Sequence, residues 1–311
     1  MPELPEVETV VRDLRPLLVG RVVQGVRVGR QRLRHPWKRS WNARLAGAAV
    51  TAINRRGKWI IVMLTSASLT SQRHGAKGDG LALLVHLGMT GQLTVAPAAS
   101  PPADHTHLVF ALDNGSELRF RDIRRFGSAR LFDSVAALDA FFAARLGPEP
   151  FNLAADDFRS AVRRSARSLK ALLLDQTVIA GVGNIYADEA CFRAGLHPGR
   201  RGSSLSDAEA DRLRNAIAAV LTQAIAGRGS TIRNYVGGSG LRGTYQGEFA
   251  VYGRTGDPCP QCAAAIECVR LAGRSSHYCP RCQPSAIGPQ AGGGGLPVRR
   301  VCQSDRLTPE S

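Results

Sequence analysis

Two sets of residues in this chain have types and spacings that suit chemistry. The first is the N-terminus, Met1-Pro2-Glu3-Leu4-Pro5-Glu6. A small second residue permits removal of the initiator methionine, which leaves Pro2 as a free secondary amine. Model α-amino groups titrate near pH 8, so about a tenth is neutral at pH 7, whereas a lysine near 10.4 is almost wholly charged. Such an amine is a nucleophile for an electrophilic sugar carbon and can form an iminium. Glu3 and Glu6 fall at one helix end. One carboxyl can protonate a leaving oxygen while the other orders a water or holds the amine, which is how a glycosidic bond breaks through an oxocarbenium-like state. The same acids would also suit the positive end of a helix dipole with no catalysis at all.

The second set is Cys259-Pro-Gln-Cys262 and Cys279-Pro-Arg-Cys282, two C-x-x-C knuckles sixteen residues apart. This spacing supplies four thiolates for a tetrahedral Zn²⁺. Two disulfides or redox pairs are the alternative, and an N-terminus with two acids and no apolar region is no export signal that would favour them. Four cysteine ligands leave no open coordination position, so the predicted zinc is structural.

The charge names the class of partner. The 311 residues carry 41 Lys+Arg against 25 Asp+Glu, a net +16. Residues 21–58 hold eleven Lys/Arg and no acid. A polyanion, most simply nucleic acid, is the expected partner. A membrane surface is the weaker alternative, because no apolar run reaches the roughly 18 residues of a span and no basic amphipathic helix or lipidation motif appears.

These residues need elements to hold them. Val7, Val10, Val11 and Leu14 recur at helical spacing over residues 1–14. Strand-like runs follow at 22–28, 59–64, 81–87, 107–112, 116–120 and 128–132, with Asp113-Asn114-Gly115 as a hairpin turn. Six short strands predict an N-terminal β-sandwich or barrel. Residues 66–80 read as a surface insertion. Beyond Pro148 and Pro150 the pattern turns helical to residue 227, with Ser206 and Glu209 forming a capping box. A Gly-rich loop at 228–247 precedes the cysteines. Five glycines and four prolines in residues 283–311 predict a disordered tail. The fold class is therefore α+β. Residues 1–147 form the β-sandwich with its flanking N-terminal helix, 148–247 a helical domain, 248–283 the zinc ribbon and 284–311 the tail.

The run Pro2-Glu3-Leu4-Pro5-Glu6-Val7-Glu8 and the cysteine ribbon are joined by four internal segments: Arg56-Gly57-Lys58, His86-Leu87-Gly88-Met89-Thr90-Gly91, Arg124-Arg125-Phe126-Gly127 and Gly181-Val182-Gly183-Asn184-Ile185-Tyr186-Ala187. Together they resemble the formamidopyrimidine-DNA glycosylase family, which includes endonuclease VIII, from residue 2 to about 283. The resemblance implies a bifunctional DNA glycosylase/AP lyase of base excision repair that removes 8-oxoguanine and formamidopyrimidines from duplex DNA. Pro2 would attack C1′, Glu3 would act as acid/base at the ring oxygen, Glu6 would support them and Lys58 would contact the lesion and its phosphate. Met89, Arg124 and Phe126 match the residues that fill the hole left by a flipped nucleotide; a flexible apolar chain, a planar cation and an aromatic ring suit a gap between stacked bases. His105 resembles a DNA-contacting histidine. Lys170, Asn184 of a helix-two-turn-helix motif, Tyr252 and Arg274 match phosphate ligands, with Arg274 also implicated in δ-elimination. Thr231-Ile232-Arg233-Asn234-Tyr235 resembles the lesion-recognition loop of oxidised-purine enzymes. The implied cofactor is one Zn²⁺, and the implied partner is damaged double-stranded DNA, met by a monomer in a bacterial cytoplasm. An oxidised-pyrimidine substrate, or a non-catalytic DNA-binding protein, are the competing readings; the second leaves Pro2 and its acids unexplained.

Overall fold

The computed structural model describes residues 1–31, 33–65, 80–230 and 243–285. Residues 66–79 of the predicted 66–80 insertion, the loop residues 231–242 and the tail beyond 285 lie outside the described residues. The chain forms two compact units, one of residues 1–145 with 224–246 and one of residues 146–223 with 247–311. Of the stretch placed with the helical domain on sequence grounds, the described residues 224–230 and 243–246 cluster with the first unit.

Helix α1 (Leu4–Leu18) opens the first unit and runs four residues beyond the predicted end. Its stripe of Val7, Val10, Val11, Leu14 and Leu18 is wholly buried, and the burial of Leu18 carries the helix past Pro16. Strands β1 (Val22–Val28), β2 (Ala48–Arg56), β3 (Trp59–Thr65), β4 (Leu81–His86), β5 (Gly91–Pro97), β6 (Thr106–Leu112), β7 (Ser116–Asp122) and β8 (Ser128–Phe132) make one antiparallel sheet in the order β5-β7-β6-β1-β2-β3-β4-β8. Where the sequence predicted a sandwich or barrel, all eight of these strands belong to this single sheet. Leu93 and Phe120 near one edge and Leu83 and Leu131 near the other enter the same buried cluster as α1.

Two strands were not foreseen. β2 is rich in Ala, Thr, Asn and Arg, so only Val50 and Ile53 mark its buried face, and β5 opens on Gly91 and closes on Pro97. Polar contacts dock α1 on β2. Arg15 Nη2 donates to the Ile53 carbonyl at 3.2 Å, and Arg55 Nε donates to Glu8 Oε2 at 3.0 Å. Burial opposes ionisation of Glu8, but the Arg12 and Arg55 bonds prevail and hold its carboxyl below the usual range.

The second unit carries helices Ala155–Arg163, Leu169–Leu174, Asn184–Arg193 and the start of Asp207–Ala226, then the hairpin β9 (Glu267–Leu271) and β10 (Arg274–Tyr278). The predicted capping box is present: Glu209 N–H donates to Ser206 Oγ at 3.3 Å and Ser206 N–H to Glu209 Oε2 at 2.9 Å. Among the described residues, no helix is long and apolar enough to cross a membrane.

Candidate active site and nucleic-acid interface

The N-terminus is built into the first unit. Pro2 is buried, and Glu3 and Glu6 are 3% and 2% exposed, a depth that free surface acids never reach. Glu3 is the N-cap of α1, and its backbone N–H donates to Glu6 Oε2 at 2.9 Å as one half of a capping box. The other Glu6 oxygen accepts from the Ser230 backbone N–H at 2.8 Å and the Ser230 hydroxyl at 3.0 Å. Glu6 thus ties the first turn of α1 to the residue that precedes the 231–242 segment. The stem of that segment is closed on the same helix. A Cβ on Gly229 would sit 2.9 Å from Glu6 Oε1, and Arg228 Nη2 donates to both Asp13 oxygens at 2.9 and 2.8 Å. Ser230, the partner of Glu6, was not singled out in the sequence, since a lone serine in a Gly-rich loop gives no signal.

Lys58 is buried in the β2–β3 turn. Arg55 Nη1 donates to the Gly57 carbonyl at 3.1 Å while its Nε holds Glu8, so one guanidinium fixes the Lys58 turn against α1.

Three exposed loops of the same unit carry Met89, His105, Arg124 and Phe126. Met89 and Phe126 are 38% and 44% exposed, so large apolar groups stand in solvent on ordered loops. The Arg124 guanidinium lies 4.8 Å from the centre of the Phe126 ring. The loops meet backbone to backbone: a Cβ on Gly88, at φ +63°, would lie 2.5 Å from the Gly127 nitrogen. His86 Nδ1 accepts the Gly88 N–H at 3.1 Å. Burial, aided by Lys58 and Arg34, pushes the His86 imidazole down to about 4. His105 is exposed at φ +64° and lines an open cleft of about 280 Å³ with Arg30 and Gln31.

In the second unit, Asn184 is the first residue of its helix, entered through Gly181 and Gly183. Gln176 braces that turn, accepting the Gly181 N–H at 2.9 Å and donating to the Val182 carbonyl at 2.8 Å. Asn184 Nδ2 and the Tyr252 hydroxyl are 3.5 Å apart, and the buried Asn184 Oδ1 has no hydrogen-bond partner among the described residues. Helix N-terminal N–H groups with such an amide suit a phosphate. Glu189 holds Tyr252 in place by accepting N–H bonds from Ala250, Val251 and Tyr252; burial nonetheless pushes its carboxyl above the usual range.

The four cysteine sulfurs lie within 4.8 Å of one another. Cys259 and Cys282 sulfurs are 3.8 Å apart, and Cys262 and Cys279 sulfurs 3.4 Å. Tetrahedral Zn–S bonds of 2.3 Å place sulfurs about 3.8 Å apart, so the residues fit the ion. The cluster packs on Phe192, Val251 and Ile266. Arg274 is exposed at the start of β10, after an Ala272-Gly273 turn in which both residues have positive φ.

Comparison with known proteins agrees over most of the chain. Family models for the formamidopyrimidine-DNA glycosylase N-terminal domain, the formamidopyrimidine-DNA glycosylase H2TH domain and the zinc finger found in FPG and IleRS match residues 1–129, 146–236 and 256–284. A formamidopyrimidine-DNA glycosylase of Geobacillus kaustophilus is 45% identical, covering 91% of this chain and 100% of its own. The chain belongs to the formamidopyrimidine-DNA glycosylase family. A Chloroflexus aggregans formamidopyrimidine-DNA glycosylase is 44% identical over 91% of this chain and 98% of its own. Among solved structures, a Lactococcus lactis FPG mutant in complex with Fapy-dG-containing DNA matches with a TM-score of 0.81 and 33% identity, over 91% of this chain and 100% of that one. The Lactococcus lactis Fpg in complex with abasic-site DNA matches with a TM-score of 0.80 and 33% identity, at the same coverage. The α+β fold and the structural zinc ion read from sequence are those of a formamidopyrimidine-DNA glycosylase.

One residue of the predicted phosphate set is placed differently. Lys170 is fully buried, and its ammonium donates to Asp188 Oδ1 at 2.6 Å and to the Asn184 carbonyl at 2.7 Å. In this formamidopyrimidine-DNA glycosylase fold, Lys170 is therefore no surface cation. It braces the helix that presents Asn184, because a lysine sealed from water needs an anion and carbonyl partners. Asp188 was missed. It also accepts from Ser276 Oγ at 3.0 Å and the His277 N–H at 2.9 Å, so it ties the ribbon hairpin bearing Arg274 to the Asn184 helix.

Proposed function

We propose that this chain is a bifunctional DNA glycosylase/AP lyase that excises oxidised purines, 8-oxoguanine and formamidopyrimidines, from duplex DNA, with Pro2 as nucleophile. The observation that carries it is the buried Pro2-Glu3 terminus, with Glu6 bonded on one side to Glu3 and on the other to Ser230. Met1 is 54% exposed and open to removal, which turns the Pro2 amide into a secondary amine.

The chemistry follows from these groups. The neutral Pro2 nitrogen attacks C1′ of the everted nucleotide and the glycosidic bond breaks, the base departing with its electron pair and taking up a proton. Glu3 protonates the ring oxygen, the sugar opens and an iminium joins Pro2 to C1′. The iminium acidifies the C2′ proton; its loss expels the 3′-phosphate, and a further elimination expels the 5′-phosphate. Water then frees Pro2. Glu6 holds Glu3 and the loop stem rather than reacting. Lys58 sits beside the lesion, Met89, Arg124 and Phe126 fill the vacated stack, and His105, Asn184, Tyr252 and Arg274 bind backbone phosphates. Zinc, when bound, fixes the fold of the ribbon; the cysteines hold it and take no part in the reaction. Residues 1–147 serve as the catalytic domain, 148–247 as the helix-two-turn-helix domain with the recognition loop, and 248–283 as the zinc ribbon. The protein acts as a monomer in the cytoplasm.

A lesion panel tests the substrate. Excision of 8-oxoguanine and formamidopyrimidine should outpace that of thymine glycol. The reverse order would move the substrate to oxidised pyrimidines, a class seen in one Lactococcus lactis complex with oxidised-pyrimidine DNA.

A further inference from the structure

We infer that Asp122 is the positioning residue that sets the void-filling loops, an inference that rests on the reaction proposed above. Asp122 ends β7 and is 0% exposed. Its carboxylate meets two loops at once. Oδ1 accepts the Thr90 hydroxyl at 2.5 Å and the Arg124 backbone N–H at 3.2 Å, and Oδ2 accepts the Gly127 N–H at 2.7 Å. The Arg124 N–H also reaches Thr90 Oγ at 3.1 Å, so hydroxyl, amide and carboxylate close one small network. Met89 directly precedes Thr90, and Arg124 to Gly127 carry Arg124 and Phe126. The backbone of Asp122 meets the third loop: its carbonyl accepts His107 Nε2–H at 2.8 Å and its N–H donates to the His105 carbonyl at 3.0 Å.

One buried residue therefore touches every segment of this unit that presents Met89, His105, Arg124 or Phe126. The need for it is physical. Arg125, between two of these residues, has φ +54° and His105 φ +64°, conformations that side chains with a Cβ adopt only under restraint. A carboxylate accepting inward-facing N–H groups supplies strong, directional restraint in a dry site. The packing leaves no slack: a Cβ on Gly127 would lie 2.7 Å from the His86 carbonyl and 3.0 Å from Asp122 Oδ2. Asp122 does not itself point outward. It acts through the loops, by holding three side chains at a fixed spacing that matches a gap in the stack.

The test is a split between substrates. In Asp122→Ala, single-turnover excision of 8-oxoguanine from duplex should fall on the order of 100-fold, the cost of a displacement near one ångström. Cleavage at a preformed abasic site, where no base has to be expelled, should fall about tenfold less. In parallel, 2-aminopurine placed beside the lesion should lose its fluorescence change on binding. Equal loss on both substrates, or no loss on either, would overturn the inference. Should Asp122→Ala not fold, Thr90 decides: Thr90→Val should show the same split and Thr90→Ser should restore it, while a Thr90→Val indistinguishable from wild type overturns the proposal. The fluorescence arm reads loop insertion without chemistry. It therefore judges Asp122 even if the wild type cleaves neither substrate, a result that would sink the proposed reaction alone.

Discussion

Glu3 and Glu6 show how two identical side chains divide tasks by their partners. Both Glu6 oxygens are committed to N–H and hydroxyl donors, whereas Glu3 caps the helix beside Pro2. Glu3→Gln should bind lesion DNA within about threefold of wild type yet lose roughly 100-fold or more in excision, the range of general acid–base catalysis. Full turnover in a single-turnover assay would remove Glu3 from the reaction. His86 supplies the pH prediction. Its imidazole is held down to about 4 by burial, against an ordinary value of 6.5, so it is neutral in the fold and accepts the Gly88 N–H. Between pH 6.5 and 4 the unfolded chain takes up a proton that the folded chain does not, so stability is intact above 6.5 and falls as the pH drops, by at most about 3 kcal/mol. Protonation at Nδ1 also breaks the Gly88 contact. Denaturant midpoints across this window should fall for the wild type, and His86→Gln should flatten the slope; a pH-independent midpoint would contradict it. The N-terminal pair stood out in the sequence because a secondary amine beside carboxyls has a distinct chemistry, although acids in a first helical turn are common and only the fold shows that Glu3 and Glu6 are buried. Asp122 was not: among Arg121, Arg124 and Arg125 it reads as one half of a surface ion pair, and only the fold shows that its acceptors face N–H and hydroxyl groups.

At the scale of elements, the Asn184 helix shows how buried charge can be structural. Lys170 and Asp188 are both sealed from water and bonded to each other. Lys170→Met should cost about 3–5 kcal/mol in unfolding free energy, because the partner carboxylate is left buried without its cation. Were Lys170 instead a direct phosphate ligand, stability would be unchanged and the slope of log affinity against log salt would fall by about one. Thermal melts and salt titrations of one variant separate the two. Helices and hairpin turns were legible where caps and glycines announced them, as at Ser206-Glu209 and Asp113-Asn114-Gly115. β2 and β5 were not, since a strand buried on one face by small or polar residues carries little hydrophobic signal. The burial of Lys170 was equally hidden, because a lysine on a short helix reads as a surface charge until Asp188, eighteen residues on, is seen to meet it.

Across the whole molecule, the charge of +16 has several uses. Part of the basic run at 21–58 is paired with acids of the same unit, Arg55 with Glu8 away from solvent and the exposed Arg27 and Arg44 with Glu117 and Asp133. The remainder sets affinity for the phosphate backbone and its salt dependence. Zinc acts at the same scale. Cys259→Ser, or chelation, should weaken DNA binding by disordering the hairpin that carries Arg274, and leave covalent trapping at Pro2 on saturating abasic DNA in place. Undiminished affinity by gel shift would contradict that role. The central claim is that Pro2 forms a covalent bond with the sugar of an oxidised purine nucleotide. Borohydride reduction of the protein, with Met1 confirmed absent by intact mass, on duplex containing 8-oxoguanine tests it most directly. A stable adduct on the N-terminal peptide, lost when Pro2 is blocked by a retained Met1, is the predicted result; no adduct from the processed wild type, or an adduct on a lysine, would contradict the account.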